Sequence, residues 1–189
     1  MRLFIGIDLP PEIKQIILEF QSELSQHGVD GLWKSQDNFH LTLEFLGEIE
    51  PNDIPTLTAT LSKVARNHEP FKLDIGGLDA FPSIQRPHTL WTALGGSLSE
   101  LKRLRDEIHH ELAKRRFVLE ERQFKPHITL ASRPQLDNVD ISDVAKKKLG
   151  EFMVVDVVLF ESRTIRGKRI YTDLYRTRLK KPISISIAT

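Results

Sequence analysis

Two short motifs combine residue types that could carry out acid–base chemistry at a phosphate. His40 and Thr42 stand two positions apart in HLTL, and His127 and Thr129 repeat that spacing in HITL. Residues i and i+2 of a strand share one face, so each histidine points the same way as its threonine. Two imidazoles can divide the general-base and general-acid work, and threonine hydroxyls can donate hydrogen bonds to phosphate oxygens. Such a site suits in-line displacement at phosphorus without a metal ion.

The elements that must position these motifs are repeated as well. The two histidines lie 87 positions apart, and at that offset Leu3 falls on Leu90 and Phe4 on Trp91. The segment LFIGIDLPPEIKQIILEFQSEL then lies over LWTALGGSLSELKRLRDEIHHEL. Each half therefore predicts a strand, a turn, an amphipathic helix, a connector and a His-x-Thr strand. If the two units pack about a pseudo-twofold axis, the two His/Thr pairs converge across one groove.

The order of the predicted elements favours an α+β protein with antiparallel sheets. Helices are predicted from Pro10-Pro11 to about Gln26, over 52–67 and over 98–117, the last capped by Ser97 or Ser99. The predicted strands are Leu3–Ile7, Phe39–Leu46, Phe71–Gly76, His88–Leu94, His127–Ala131, Phe152–Glu161 and Ile170–Leu179. Trp33 is predicted to begin a connector, and residues 133–150 are predicted to be irregular around one short helix. The tail KKPISISIAT is β-prone.

Composition excludes several classes of function. The 189 residues include no cysteine, which excludes a disulfide scaffold, a cysteine nucleophile and a Cys-ligated metal site. Lysine and arginine number 27 against 26 acidic residues, so the net charge of +1 argues against a protein that coats DNA. There is no HExxH, Walker A or GxGxxG motif. No membrane-length apolar run or signal peptide is found, and we expect a cytoplasmic protein without a membrane partner.

A cation beside the two motifs would complement the charge of a phosphate. Arg133 lies six residues after His127 and is in phase with it if the strand continues. Lys125 has the same phase, but Pro126 makes its geometry harder to predict. The residues alone leave both cations open.

The chain resembles the two-histidine (2H) phosphoesterases, above all the bacterial and archaeal RNA 2′,3′-cyclic phosphodiesterases, historically called 2′–5′ RNA ligases. The resemblance rests on HLTL at 40–43 with FLG at 45–47, and on HITL at 127–130. It extends over nearly the whole chain through RLFIGIDLP, AFPSIQRPHTLW and LFESRTIRGKRIYTDLYRTRL. It implies a single 2H phosphoesterase domain over residues 1–189, made of two intertwined lobes. Antiparallel sheets would line a central cleft, with helices outside.

The resemblance also implies a reaction and roles for the motif residues. RNA ending in a 2′,3′-cyclic phosphate would be hydrolysed to a 2′-phosphomonoester, with no metal and no cofactor. His40 would be the general acid that protonates the departing O3′, and His127 the general base that activates water. Thr42 and Thr129 would hold the phosphate oxygens.

Two further positions receive a role from the resemblance. Phe45 would stack on the terminal base, although it has the strand parity of Leu41 and Leu43, which predicts a core position. Family members often carry an arginine just after the second motif. Here Ala131 and Ser132 occupy those positions and the arginine follows at 133, so Arg133 is displaced by one residue from that pattern.

Three alternative functions use the same residues. The site could act on a small cyclic nucleotide or an ADP-ribose cyclic phosphate, or join 2′–5′ RNA ends by the reverse reaction. The protein could also be an RNA-end binding module with weak catalysis. In each case the expected partner is an RNA end or nucleotide carrying a 2′,3′-cyclic phosphate, and the expected state is a monomer.

Overall fold

The computed structural model describes residues 1–180, and in these residues the chain forms nine strands and three α-helices. The strands are β1 (Arg2–Asp8), β2 (Asp30–Trp33), β3 (His40–Glu48), β4 (Phe71–Ser83), β5 (Arg86–Gly96), β6 (His127–Gln135), β7 (Lys148–Val154), β8 (Asp156–Ile165) and β9 (Lys168–Arg178). The helices are α1 (Pro11–Gln26), α2 (Ile54–Ala65) and α3 (Leu98–Ala113). The predicted β-prone tail, apart from its first residue Lys180, lies outside the described residues.

The strands pair into two antiparallel sheets, so the α+β prediction is confirmed. One sheet has the order β3-β1-β8-β9, and the other has the order β2-β6-β5-β4-β7. The short strand β2 comes from the first fifth of the chain yet joins the second sheet, and β8 and β9 return to the first. The chain therefore passes between the sheets more than once, and each sheet carries one of the two histidine motifs.

The helices form where apolar residues recur three and four positions apart. In α1 the side chains of Ile13, Ile17, Phe20 and Leu24 are all buried, and α3 buries an equivalent row. One buried apolar cluster contains residues of both sheets and all three helices. Within residues 1–180 no helix has the length and apolar character needed to cross a membrane.

The internal repeat is clearest in the helices and in the histidine strands. Helices α1 and α3 both have 16 residues, strands β3 and β6 both have nine, and each pair begins 87 positions apart. The first strand of each unit does not keep this offset. Thr42 pairs with Gly6 and Thr129 pairs with Trp91, so Trp91 corresponds in pairing to Gly6 and not to Phe4.

Helix α3 ends four residues earlier than the sequence predicts. Arg116 adopts a left-handed conformation with φ of 64°, and its backbone N–H bonds to the Ala113 carbonyl. The N–H of Phe117 bonds to the Leu112 carbonyl, which completes a Schellman motif and stops the helix. Ser97 occupies the N-cap position, but its side chain makes no capping hydrogen bond.

Three other expectations about the chain are wrong. Trp33 does not begin the connector but ends the unpredicted strand β2, which pairs with β6, and the connector starts at Lys34. The region 133–150 holds the end of β6, a series of turns and the start of β7, with no helix. The predicted strand Phe152–Glu161 is divided at Val155. Phe152 and Val154 are buried in the second sheet, and the chain crosses to the first sheet before β8, so one apolar run in the sequence serves two sheets.

Candidate active site

A β-bulge follows each histidine motif at the same place. In β3, Thr42 pairs with Gly6 while Glu44 pairs with Ile5, which leaves Leu43 as the extra residue. In β6, the corresponding extra residue is Leu130. A bulge inverts the facing of every side chain that follows it.

The bulge in β3 explains why Phe45 is not in the core. The predicted parity with Leu41 and Leu43 holds only up to the extra residue, and beyond it Phe45 faces the same way as Thr42. Its side chain is 53% exposed and lines the cleft described below. Glu44 is buried in its place, where it accepts a hydrogen bond of 2.7 Å from His109 Nδ1. The core expectation for Phe45 is therefore wrong.

The bulge in β6 removes the basis for placing Arg133. The expected phase with His127 requires a regular strand, but the extra residue Leu130 interrupts it. Arg133 is exposed, has a left-handed φ of 49°, and is not among the residues that line the cleft. Lys125, the other candidate cation, does line the cleft.

Each histidine is oriented by a backbone carbonyl two residues earlier. Nδ1 of His40 lies 2.8 Å from the Asn38 oxygen, and Nδ1 of His127 lies 2.7 Å from the Lys125 oxygen. A carbonyl only accepts, so Nδ1 carries the proton in both rings and Nε2 has the free lone pair when the ring is neutral. At His40 that lone pair accepts a 2.9 Å hydrogen bond from the Thr42 hydroxyl.

Aromatic side chains surround both imidazoles. The His40 ring lies 4.7 Å from Phe4 and meets Tyr171 edge-on at 4.9 Å. The His127 ring meets Phe81 edge-on at 4.9 Å and lies 5.7 Å from Trp91. Sequence analysis did not assign these four aromatic residues to the site. The alignment of Phe4 with Trp91 at the 87-residue offset was the available signal, since each contacts the histidine of its own unit.

This environment makes both histidines hard to protonate. Burial lowers the pKa of His40 to about 4, with a smaller lowering by the charge of His127 and a partial offset from the bond to Asn38. Burial also lowers the pKa of His127, and the Lys125 ammonium adds to that effect.

Strands β3 and β6, which carry the two motifs, approach each other beside a cleft of about 1140 Å³. Thr42 lines it from β3, and His127 and Thr129 line it from β6, while His40 lies behind Thr42. The other lining residues are mostly aromatic or cationic and include Phe45, Phe81, His88, Arg105, Arg122, Phe124 and Lys125. Three of the four motif side chains therefore line one cleft, and the fourth, His40, contacts it through Thr42.

The three cations of the cleft differ in how they are held. Arg105 lies 3.4 Å from the buried Glu44 carboxylate, and Arg122 is paired with Glu120 by two short hydrogen bonds. Lys125 Nζ lies 4.6 Å from the centre of the Trp91 ring, and the one carboxylate within 4 Å in the described chain is that of Asp79, at 3.4 Å. Lys125 is therefore the cation that is adjacent to a motif histidine and most weakly neutralised. Among residues 1–180 no group of three or more potential metal ligands is clustered.

Comparison with known proteins agrees with this geometry. The family model for LigT-like phosphoesterases matches residues 7–91 and 97–171. An RNA 2′,3′-cyclic phosphodiesterase of Archaeoglobus fulgidus is 32% identical over 179 residues, which cover 92% of this chain and 98% of that protein. The structure of a Thermus thermophilus protein superposes with a TM-score of 0.79 at 27% identity, covering 96% of this chain and 99% of the other.

Escherichia coli LigT in its apo form gives a TM-score of 0.76 at 26% identity, and covers 95% of this chain and 97% of its own. LigT has also been solved in complex with 3′-AMP, with ATP and with NADP⁺. The family model spans both repeated units, and the structural match spans both sheets. The chain is therefore an enzyme that belongs to the family of LigT-like phosphoesterases.

Proposed function

We propose that this phosphoesterase hydrolyses the terminal 2′,3′-cyclic phosphate of RNA to a 2′-phosphomonoester. The observation that carries the proposal is the duplicated His-x-Thr motif, in which both imidazoles keep Nδ1 on a backbone carbonyl, so that Nε2 is the nitrogen left to exchange a proton with substrate. Two equivalent imidazoles are what a reaction needs when one proton must be removed and another delivered. The name of the Archaeoglobus fulgidus relative supports the same substrate.

In the proposed mechanism His127 removes a proton from water as the water oxygen attacks phosphorus. The new P–O bond forms in line with the P–O3′ bond that breaks, and His40 delivers its proton to O3′. The products are a free 3′-hydroxyl and a 2′-phosphate, so atoms and charge balance. Thr42 and Thr129 donate hydrogen bonds to the non-bridging oxygens. When His40 is protonated, its Nε2 becomes a donor, and the Thr42 hydroxyl proton is then free for the phosphate.

Lys125 and Phe45 complete the proposed substrate site. Lys125 lines the cleft beside His127, and its one carboxylate partner in the described chain is Asp79 at 3.4 Å, so we assign it the phosphate in place of Arg133, which does not line the cleft. Phe45 presents an exposed ring to the same cleft, on which the terminal base can stack. Stacking of this kind accepts any base, so it adds affinity without sequence preference.

We also propose that residues 1–189 act as one 2H domain of two intertwined lobes, as a monomer and without a metal or cofactor. The argument is that each sheet supplies one motif and that the chain passes between the sheets, so neither half holds a complete site. The two imidazoles supply both proton transfers, which leaves no step that needs a metal-bound water.

A second candidate substrate is a small nucleotide with a cyclic phosphate. The complexes of Escherichia coli LigT with 3′-AMP, ATP and NADP⁺ favour it, because that relative accepts free nucleotides. The rates on a cyclic mononucleotide and on an oligonucleotide with the same terminal base compare the two candidates directly.

The test of the proposed function is product identity. In the presence of EDTA, a short RNA ending in a 2′,3′-cyclic phosphate is expected to yield the 2′-phosphate and no 3′-phosphate. The two products are separated by chromatography against synthetic standards, and an RNA ending in a linear 3′-phosphate is the unreactive control. A 3′-phosphate product, or turnover that is lost in EDTA and restored by a divalent cation, would contradict the proposal.

The pH dependence is expected to be bell-shaped with an acidic optimum. Catalysis needs one neutral and one protonated imidazole, and burial holds both pKa values below the usual 6.5. Above about pH 6.5 the free enzyme loses the required proton, so kcat/KM is expected to fall about tenfold per pH unit there. The bound phosphate anion raises the pKa of the imidazoles, so the optimum of kcat lies at higher pH. A kcat/KM maximum above pH 7.5 would contradict this expectation.

A further inference from the structure

The far end of the β8–β9 hairpin is an exposed cationic ribbon. Every residue from 163 to 170, the sequence RTIRGKRI, is exposed, and the two strands stay paired as far as Ile165 and Lys168. Because alternate residues of a strand point to opposite faces, exposure of all of them means that both faces meet solvent. These eight residues contain four cations and no acid, in a chain whose total net charge is only +1.

Little in the described chain neutralises this charge. Arg163 is paired with Glu161 at 2.7 Å, but no carboxylate of residues 1–180 lies within 4 Å of the cationic groups of Arg166, Lys168 or Arg169. The Arg169 guanidinium instead donates to the Ser162 hydroxyl at 3.0 Å. Burial and the charge of Arg169 both lower the pKa of Lys34, the residue that directly follows β2. Like charges held together in this way favour an anionic ligand.

The ribbon is connected directly to the catalytic centre. The Asn38 side-chain amide donates to the Arg169 carbonyl at 2.9 Å, and the Asn38 carbonyl accepts the hydrogen bond from His40. Tyr171 shares a face of β9 with Arg169, two residues away, and its ring meets that of His40. The cationic ribbon thus ends at Ile170, directly before Tyr171, whose side chain contacts a motif histidine.

We propose that residues 163–170 bind the phosphate backbone of the single-stranded RNA that leads to the cyclic end. This inference rests on the proposed function and specifies its substrate class, an oligonucleotide in preference to a mononucleotide. An RNA end in the cleft must leave the site on some path, and the ribbon offers a cationic one beside His40. The partly exposed side chains of Ile165 and Ile170 add apolar surface to the same ribbon.

The test compares two double variants that remove equal charge. Arg166→Gln/Lys168→Gln alters the ribbon. Lys146→Gln/Lys148→Gln alters two exposed lysines, one at the start of β7 and one just before it. Strand β7 is the edge strand of its sheet and lies three strands away from β6. The probe is a fluorescent single-stranded RNA of about 12 nucleotides with a 2′-phosphate end, which cannot be turned over, and the readout is anisotropy in a salt series.

The ribbon variant is expected to bind about tenfold more weakly at about 0.15 M salt. The slope of log K against log salt is expected to fall by about 1.4, because each phosphate contact on a single strand contributes about 0.7. The β7 variant is expected to retain the affinity and slope of the unaltered protein. Equal weakening by both variants, or an unchanged slope in the ribbon variant, would overturn the proposal.

A separate readout distinguishes this inference from the proposed function. A 2′,3′-cyclic mononucleotide has no RNA backbone upstream of the reacting phosphate. The ribbon variant is therefore expected to hydrolyse it at the rate of the unaltered protein. If the unaltered protein hydrolyses no cyclic phosphate, the proposed function fails, while the binding comparison still decides the role of the ribbon.

Discussion

Replacement of His127 by alanine is expected to lower kcat on an RNA 2′,3′-cyclic phosphate by about 10²- to 10⁴-fold, and His40→Ala is expected to have an effect of the same size. Each variant removes one of the two proton transfers that the proposed mechanism needs, while both leave the cleft and Lys125 in place. The measurement is kcat under saturating substrate, together with thermal unfolding to show that each variant remains folded.

The matched control is His88→Ala. His88 also lines the cleft, but its neighbours Pro87 and Thr89 do not place it in a His-x-Thr motif. We expect its kcat to stay within a few-fold of the unaltered protein. The double variant His40→Ala/His127→Ala is expected to be about as slow as either single variant, because residues that act as a unit give non-additive losses.

The two histidines can also be told apart. An aryl oxide is a good leaving group that departs without being protonated. Hydrolysis of an aryl phosphodiester therefore does not need the general acid, although it still needs the general base. His40→Ala is therefore expected to recover most of its activity on an aryl phosphodiester, and His127→Ala is not. Recovery in His127→Ala alone would show that the acid and base roles are exchanged. Equal, full activity of both variants on the RNA substrate would contradict the two-histidine mechanism.

The parts of the structure that sequence could predict are those with a strong local period or an internal repeat. The 87-residue offset found from His40 and His127 also relates the bounds of α1 to those of α3, although the buried apolar rows of the two helices differ by about one residue along the chain. The same offset predicted that the two motifs occupy equivalent strands, which is how the two sheets present them.

What sequence could not predict came from contacts between distant segments. Strand β2 has four residues, one of them glycine, and it is a strand only because β6, about 100 residues later, offers an edge. The bulges after Thr42 and Thr129 have no signature in the alternation of side chains. Strict alternation predicts an exposed Glu44 and a core Phe45, and a single extra residue instead leaves Glu44 buried and Phe45 exposed.

The reversal at Glu44 and Phe45 is stabilised by groups that sequence does not place nearby. The buried Glu44 carboxylate is held by His109 and approached by Arg105, both from α3. A buried carboxylate is tolerated only with such partners. The same helix thus compensates the charge that the bulge buries, and the bulge in turn gives the cleft its exposed aromatic ring.

The pairing of β1 with β3 leads to the second large expected effect, that of Gly6→Ala. A Cβ added to Gly6 would lie 2.7 Å from the Leu41 carbonyl oxygen and 3.4 Å from the Phe160 ring. The first distance is shorter than a carbon–oxygen contact allows, and the oxygen belongs to backbone that cannot rotate away. Strands β1 and β3 must therefore separate at the point where Gly6 pairs with Thr42.

Separation there displaces the motif strand and the hydrogen bond between Thr42 and His40. A misplacement of about 1 Å can lower a rate by about 10²-fold, so we expect kcat to fall by that order. The overpacked strand pair is expected to lower the free energy of unfolding by about 1–3 kcal/mol, measured by urea denaturation.

The control substitution is Gly95→Ala in β5. Its added Cβ would lie 3.7 Å from the Asp74 Cβ, an ordinary van der Waals contact, so both kcat and stability are expected to stay close to those of the unaltered protein. Gly6→Ala with full kcat but reduced stability would show that the strands separate without moving Thr42. Full kcat and full stability together would show that β1 can shift along β3 at no cost, in which case the glycine is not what holds the motif strand in register.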